Sequence, residues 1–253
     1  MGDEPVEILN PGGASPFLLT CDHASNALPA EYGRLGLHEE VFDDHIAYDI
    51  GAAEVTRGLS GTLDAAAILA CFSRLLIDPN RSREQPGFIV QETDGIEVPG
   101  NFGLDEDEIA RRMHLYYEPY HDAITQYLVA RDRQDQAPAI VGLHSFTPIM
   151  QGAGRPWEVG ILWNRDPRLA ERLLSELRRD KHLTVGDNQP YSGRLLGHGM
   201  DAHGGARGLP HAVIEIRQDL IATPEGVSEW VERLTDVLHV IAGESELFQV
   251  RHY

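Results

Sequence analysis

Hydrophobic positions form two kinds of pattern along the chain. Apolar residues occur in short continuous runs, as is typical of buried strands, at 17–21, 65–71, 75–77, 139–143, 159–163 and 212–216. Between these runs they recur at helical spacing, over 39–59, 105–131, 167–179 and 223–242. Because strands alternate with helices and are apolar throughout, we predict an α/β fold, a three-layer αβα sandwich around a central mixed, mostly parallel sheet.

The clearest helical stripe covers residues 105–131. Asp105 precedes Glu108 by three residues, which predicts a capped N-terminus. Pro119 lies inside the stripe and predicts a kink, because proline removes one helical hydrogen bond.

Two Gly-rich segments, 81–103 and 189–210, predict long loops, which in compact proteins are often functional. Ligands of such sheets bind beyond the carboxyl ends of the strands. Polar residues follow three of the apolar runs at His23, at residues 78–81 and at His144. We therefore expect these residues to share one site.

Length and charge narrow the functional classes. With 253 residues, of which 42% are hydrophobic, the chain predicts a single domain over residues 1–253. Its formal net charge of −19 repels phosphate backbones and anionic lipid, so we expect no nucleic-acid or membrane partner. A small anionic substrate would need a local group of cations.

The cysteine content and the lack of a recognisable targeting signal favour the cytoplasm. The sequence contains only two cysteines, Cys21 and Cys71, so a disulfide framework is not indicated. The first residues lack the basic region and apolar run of a signal peptide. No apolar stretch is long enough to span a bilayer. A reducing, cytoplasmic location is the expectation.

His23 and His144 are the first candidates for chemistry. Each follows or ends an apolar strand, where a neutral imidazole is a good zinc ligand, although a single such histidine is more often structural. A catalytic zinc site usually has a third protein ligand. Asn26 is a poor ligand, and we select Asp44 from a group that could supply the oxygen or nitrogen, namely Asp43, Asp44, His45 and Asp49. Helix capping is the alternative role for Asp43 and Asp44.

Arg74, Asn80 and Arg81 form a candidate anion pocket. The arginine guanidinium is permanently charged and matches a carboxylate in two hydrogen bonds, and asparagine adds a neutral donor. In a chain this acidic, three such groups around one strand indicate a site for a substrate carboxylate. Surface salt bridging is the alternative for both arginines.

Glu215 lies inside the last apolar strand, where a carboxylate is costly unless it is paired or used. Burial raises the pKa of such a carboxyl group toward the range of a general base. Arg217 lies on the same strand face and is either the ion-pair partner of Glu215 or a substrate ligand. Among His198, His203 and His211 around the second Gly-rich loop, His203 is the preferred substrate contact.

The order of these residues resembles that of the zinc carboxypeptidases and of aspartoacylase. The local sequence motifs resemble those of the N-formylglutamate amidohydrolase family more closely, from Phe17 to about Val240. The segments that carry this resemblance are 21–29, 44–52, 73–81, 117–121, 144–148 and 215–220. The resemblance also implies the phosphorylase/hydrolase-like version of the predicted sandwich.

The resemblance implies an enzyme with one zinc ion that hydrolyses N-formyl-L-glutamate to L-glutamate and formate. His23, His144 and Asp44 would hold the zinc, and Glu215 would act as general base. Arg74 would stabilise the oxyanion, while Asn80 and Arg81 would bind the substrate carboxylate. Another amidase or peptidase of the same architecture, or a non-catalytic relative without metal, remains an alternative.

Overall fold

The computed structural model describes residues 4–131, 137–194 and 199–253. Its strands are β1 (Val6–Leu9), β2 (Phe17–Cys21), β3 (Ala66–Ala70), β4 (Glu92–Thr93), β5 (Ile96–Glu97), β6 (Ala139–Phe146), β7 (Ile149–Met150), β8 (Ala153–Gly154), β9 (Val159–Leu162), β10 (Val185–Asp187) and β11 (His211–Arg217). Its α-helices are α1 (Ala52–Thr62), α2 (Glu106–Arg112), α3 (Glu118–Arg131), α4 (Arg168–Leu177) and α5 (Pro224–Ala242).

Seven strands form one mixed sheet in the order β1-β3-β2-β6-β11-β9-β10. The four central strands, β3, β2, β6 and β11, are parallel. Strand β1 pairs antiparallel with β3, and β9 pairs antiparallel with β11. Because the central strands share one direction, their carboxyl ends meet at one edge, where His23, His144 and Glu215 lie.

Apolar side chains cover both faces of the sheet. One core joins the sheet to α1, α4 and α5 through residues such as Leu59, Leu173 and Leu234. The other joins it to α3 through Tyr120 and Ile124. The predicted three-layer αβα fold is therefore confirmed. Within the described ranges, no helix combines the length and the apolar character needed to cross a bilayer.

The helix predicted over residues 39–59 is wrong in its first half. A 3₁₀ helix covers Glu39–Asp43, and α1 begins only at Ala52. The break falls at Gly51, which has a positive φ of 79°. A side chain there would place its Cβ 2.2 Å from the Ile221 carbonyl oxygen, so this turn requires glycine.

The strand predicted over residues 75–77 is also wrong, because this buried segment is a loop without strand pairing. Side chains replace the missing sheet partners. Asn101 donates to the Leu75 carbonyl oxygen at 2.8 Å, and Arg112 donates to that of Leu76 at 3.0 Å. Burial of an apolar run therefore does not by itself select a strand.

The long stripe over residues 105–131 forms two helices joined by a π-helical turn at Met113–Tyr117. The predicted cap is confirmed, since the Asp105 carboxylate accepts the Glu108 N–H at 2.9 Å. The π turn lies directly before Pro119, where the Glu118 N–H bonds to the Met113 carbonyl five residues back. The irregularity is thus at the place that proline predicts.

Arg112 fastens the loop of residues 72–103 to α2. Its side chain is 2% exposed, and it donates to the Leu76 carbonyl, to Asn101 Oδ1 at 2.7 Å and to the Gly100 carbonyl at 3.3 Å. Its Nε also donates to Glu108 at 2.8 Å. One buried guanidinium therefore satisfies acceptors from three parts of the fold.

Replacing Arg112 with Met should destabilise the protein strongly, because several buried acceptors would lose their donor. The expected loss in free energy of unfolding is about 3–5 kcal/mol, by analogy with breaking a buried ion pair, and thermal denaturation measures it. Arg111→Met is the matched control, since Arg111 makes exposed contacts with Glu31, Glu108 and the Tyr32 hydroxyl and should cost less than about 1 kcal/mol. Equal losses in the two variants would contradict the anchoring role.

Candidate active site

Two buried imidazoles face each other at the carboxyl edge of the sheet. His23 follows β2 by two residues, and His144 lies near the end of β6. Each is 3% exposed, and their ring centroids are 4.9 Å apart in an edge-to-face arrangement. Strands β2 and β6 are neighbours, so the parallel register brings the two histidines together.

Asp49 lies between the two rings. Its Oδ2 is 3.3 Å from Nδ1 of His23 and 2.8 Å from Nδ1 of His144. The Asp49 backbone N–H donates to the His23 carbonyl at 3.0 Å, and the Ser145 N–H approaches Oδ2 at 3.3 Å. The turn at Gly51 then leads directly into α1, so the carboxylate lies just before a helix N-terminus.

A second carboxylate contacts the far nitrogen of each ring. His23 Nε2 is 2.8 Å from Asp78 Oδ1, and His144 Nε2 is 3.2 Å from Asp22 Oδ2. Asp22 is held in turn by the hydroxyl of Tyr120 from α3. When Nε2–H donates to these carboxylates in a neutral ring, each Nδ1 presents a lone pair to Asp49. Three acceptor atoms then converge, and only a proton or a metal ion between them can make the contact favourable.

The charges of this cluster are strongly coupled. Burial by itself would lower the pKa of His144, but its hydrogen bonds with Asp22 and Asp49 outweigh burial and raise that pKa well above its ordinary value. Burial opposes ionisation of Asp22, yet the hydrogen bond from His144 lowers the pKa of Asp22 to about 2. The pKa of Asp49 is also lowered, against burial, by His23 and His144. The carboxylates therefore stay ionised, and positive charge beside them stabilises that state.

The donor set fits a divalent metal ion. The ligand atoms of His23, Asp49 and His144 all lie within 4.8 Å of one another. A tetrahedral zinc ion with bonds of about 2.0–2.1 Å would hold its ligands roughly 3.3 Å apart. Carboxylates on the far nitrogens, here Asp78 and Asp22, are the usual outer partners of metal-bound histidines. His23, Asp49 and His144 could therefore hold a metal ion.

Glu215 lies beside this cluster, paired in register with His144 across β6 and β11. It is 7% exposed, and its Oε2 has no hydrogen-bond partner among the described residues. Burial raises the pKa of Glu215 to about 7. The alternative ion pair with Arg217 does not form, because Arg217 instead pairs with Asp219 at 2.8 Å. A carboxylate of this kind can exchange a proton near neutral pH.

The loop after β3 brings the predicted cationic group to the same cavity. Arg74, Asn80 and Arg81 line it together with His23, His144 and Glu215. Arg74 donates to Asp78 Oδ2 at 3.0 Å and to Asp49 Oδ1 at 3.5 Å. Arg81 Nε lies 3.9 Å from the same Asp78 oxygen. Asp78 thus orients both arginines as well as His23.

Other predicted residues lie elsewhere. The Asp44 side chain is 53% exposed and pairs with His45, so Asp49 occupies the position that we assigned to Asp44. Arg217 is engaged by Asp219, outside the cavity lining. His203 is buried against His121, with His203 Nε2 2.7 Å from His121 Nδ1, and does not line the cavity. His198 lies outside the described residues.

Sequence reasoning missed the roles of Asp22 and Tyr120. Asp22 directly follows a fully buried strand, and a carboxylate in that place needs a buried partner. This signal was present next to His23. The tyrosine could not be found in this way, because its position on the apolar stripe of α3 is equally typical of a core residue.

Comparison with known proteins supports the family resemblance. The model of the family described as N-formylglutamate amidohydrolase matches residues 15–222. A solved structure of a gene product from Agrobacterium tumefaciens has 35% sequence identity and a TM-score of 0.92, with 96% of each chain covered. No curated protein matches the sequence significantly.

A solved N-formylglutamate amidohydrolase from Ralstonia eutropha has the same fold. Its TM-score is 0.71 at 24% identity, and the alignment covers 96% of this chain and 98% of the other. The family match spans most of the chain, from two residues before β2 to the residues that follow β11. The chain therefore belongs to the N-formylglutamate amidohydrolase family.

Proposed function

We propose that this chain is a zinc-dependent amidohydrolase that cleaves the amide bond of small N-acyl amino acids, with N-formyl-L-glutamate as the substrate to test first. The observation that carries the proposal is the convergence of His23, Asp49 and His144 on one point. Beside it lies Glu215 Oε2, which has no hydrogen-bond partner in the part of the chain that the structure describes. Family membership supports the amide as the bond that is cut. The two free cysteines accord with a cytoplasmic location.

His23, Asp49 and His144 would hold the zinc ion. When bound there, zinc supplies a Lewis acid and lowers the pKa of a coordinated water. The chain contributes the orientation of its ligands. Asp78 and Asp22 fix the rotation and tautomer of the two rings, because each accepts a hydrogen bond from the far nitrogen.

Glu215 would move the proton. With a pKa raised to about 7 by burial, its carboxylate can accept a proton from the attacking water at Oε2 and then give it to the leaving amine nitrogen. Arg74, which lies between Asp49 and Asp78, would donate to the amide oxygen as negative charge develops there. Asn80 and Arg81 would bind the α-carboxylate and so align the amide.

A screen of N-acyl amino acids for release of free amine, on protein of known metal content, tests the function. N-formyl-L-glutamate should be hydrolysed by the zinc-loaded protein and not after chelation. A loaded protein that releases no amine from any N-acyl amino acid would overturn the function. The presence of Glu215 beside the cluster, as a group that can act as general acid and base, argues against a non-catalytic role.

Replacing Asp49 with Asn should lower zinc affinity by more than about 100-fold, because a neutral amide replaces an anionic ligand. His23→Ala and His144→Ala should act in the same direction. Zinc content after dialysis against a competing chelator measures the effect. Asp44→Asn is the matched control and should retain wild-type zinc. Loss of zinc in the Asp44 variant but not in the Asp49 variant would reverse the assignment.

Replacing Glu215 with Gln should lower kcat by about a hundredfold to ten-thousandfold, the usual range for lost acid–base catalysis. Zinc content and Tm should change little, because Gln keeps the shape and Arg217 does not depend on Glu215. Glu158→Gln, a change at the start of β9 away from the cavity lining, is the control and should leave kcat unchanged. A stable, zinc-loaded Glu215 variant of full activity would remove Glu215 from the mechanism.

Replacing Arg81 with Ala should raise KM for N-formyl-L-glutamate by roughly 10- to 100-fold, since a hydrogen bond to a charged group contributes about 1.5–3 kcal/mol. KM for the corresponding α-carboxamide should barely change. Arg83→Ala is the control, because Arg83 pairs with Glu106 at the surface. If both substrates were affected equally, Arg81 would be holding the loop and not the carboxylate.

A further inference from the structure

Two rows of residues cross the sheet on the face that carries the site. The first row is His144, Glu215 and Gly160, which are register partners on β6, β11 and β9. The second row lies two residues back along β6 and β11 and consists of Gly142, Val213 and Leu162. Residues two apart on a strand point to the same face, so the second row forms the floor directly behind the active-site row.

Apolar side chains of the second row and of Met200 form a groove. The space in front of Gly142 is filled by these neighbours, since a Cβ there would lie 3.3 Å from both Met200 Cε and Val213 Cγ2. Val213, Leu162 and Met200 line the cavity that also contains Glu215. The groove therefore continues the active-site cavity with walls that favour carbon over charge.

His211 lies at the far end of the groove. It belongs to the same face of β11, two residues before Val213, and lines the same cavity. It is 2% exposed, and its Nδ1 bonds to the Leu209 carbonyl at 2.7 Å. Its Nε2 has no hydrogen-bond partner within the described part of the chain. A buried acceptor without a partner at the end of an apolar groove indicates that a ligand or its water reaches it.

The strand order fixes which half of an amide would enter the groove. Asn80 and Arg81, the proposed carboxylate ligands, follow β3, on one side of the cluster formed after β2 and on β6. The groove lies on β11 and β9, on the other side. An amide whose amine half carries the carboxylate to Arg81 therefore directs its acyl half over Val213 and Leu162.

We propose that this groove is an acyl subsite for groups of several carbons, larger than formyl. This inference rests on the proposed function and names its substrate class more closely. Two residues along a strand span roughly 7 Å, so the distance from Glu215 to His211 is roughly 13 Å along β11. A formyl group has one carbon and would leave the second row uncovered. His211 Nε2 would accept a hydrogen bond from a donor at the distal end of the acyl group or from a water there.

A series of substrates tests the subsite on the zinc-loaded protein: N-formyl-, N-acetyl-, N-butyryl- and N-hexanoyl-L-glutamate. kcat/KM should rise roughly threefold to fourfold for each added methylene until the groove is full, as expected from burial of one CH₂. A series in which formyl is best and every longer acyl group is worse would overturn the subsite and leave the proposed function standing. Hydrolysis of none of the four would overturn the function itself.

Variants of the groove test whether it causes the rise in kcat/KM with acyl length. Val213→Phe and, as a smaller change, Leu162→Phe should each lower the hexanoyl-to-formyl ratio of kcat/KM by at least about tenfold, since both put a larger side chain into the groove. Val240→Phe, at an exposed position of α5, is the matched control and should keep the wild-type ratio. A ratio that stays at the wild-type value in folded, zinc-loaded Val213 and Leu162 variants would overturn the assignment of this groove.

Discussion

The contact on which the site depends is that of one carboxylate oxygen, Asp49 Oδ2, with two imidazole nitrogens in a buried place. His23 and His144 present Nδ1 to it at 3.3 and 2.8 Å. Buried acceptors facing each other repel unless positive charge lies between them. Asp22 and Asp78 add negative charge on the outer side of each ring, and the Arg74 guanidinium pairs with Asp49 and Asp78. The fold therefore places these atoms where a proton or a metal ion between them is favourable.

The sequence predicts those parts of the site that lie on strands or at their ends. His23, His144 and Glu215 follow or lie in apolar runs, and the central parallel strands bring such residues to one edge. The layer architecture followed from the same runs, because strands apolar on both faces must be covered on both faces. These inferences need only a residue's position along its strand, which periodicity supplies.

Positions that depend on a turn could not be predicted in the same way. The helical spacing over residues 39–59 hid the turn at Gly51, which has a positive φ and where a side chain would clash with the Ile221 carbonyl from a distant part of the chain. With a continuous helix, Asp44 and Asp49 are equally plausible ligands, and only the turn separates the exposed one from the buried one. The predicted contact of Arg217 with Glu215 or substrate has a local competitor, because its guanidinium pairs with Asp219 two residues further along the chain.

The two halves of the site are built on different supports. Residues His144 and Glu215 belong to the sheet, whereas Arg74, Asn80 and Arg81 belong to a loop that Arg112 fastens to α2. Distances within the sheet are fixed by strand pairing, but the loop can be lengthened, shortened or re-anchored without disturbing that pairing. Under the proposed function, changes near Asn80 and Arg81 can therefore alter which amines are accepted, while His144 and Glu215 keep the positions that strand pairing gives them.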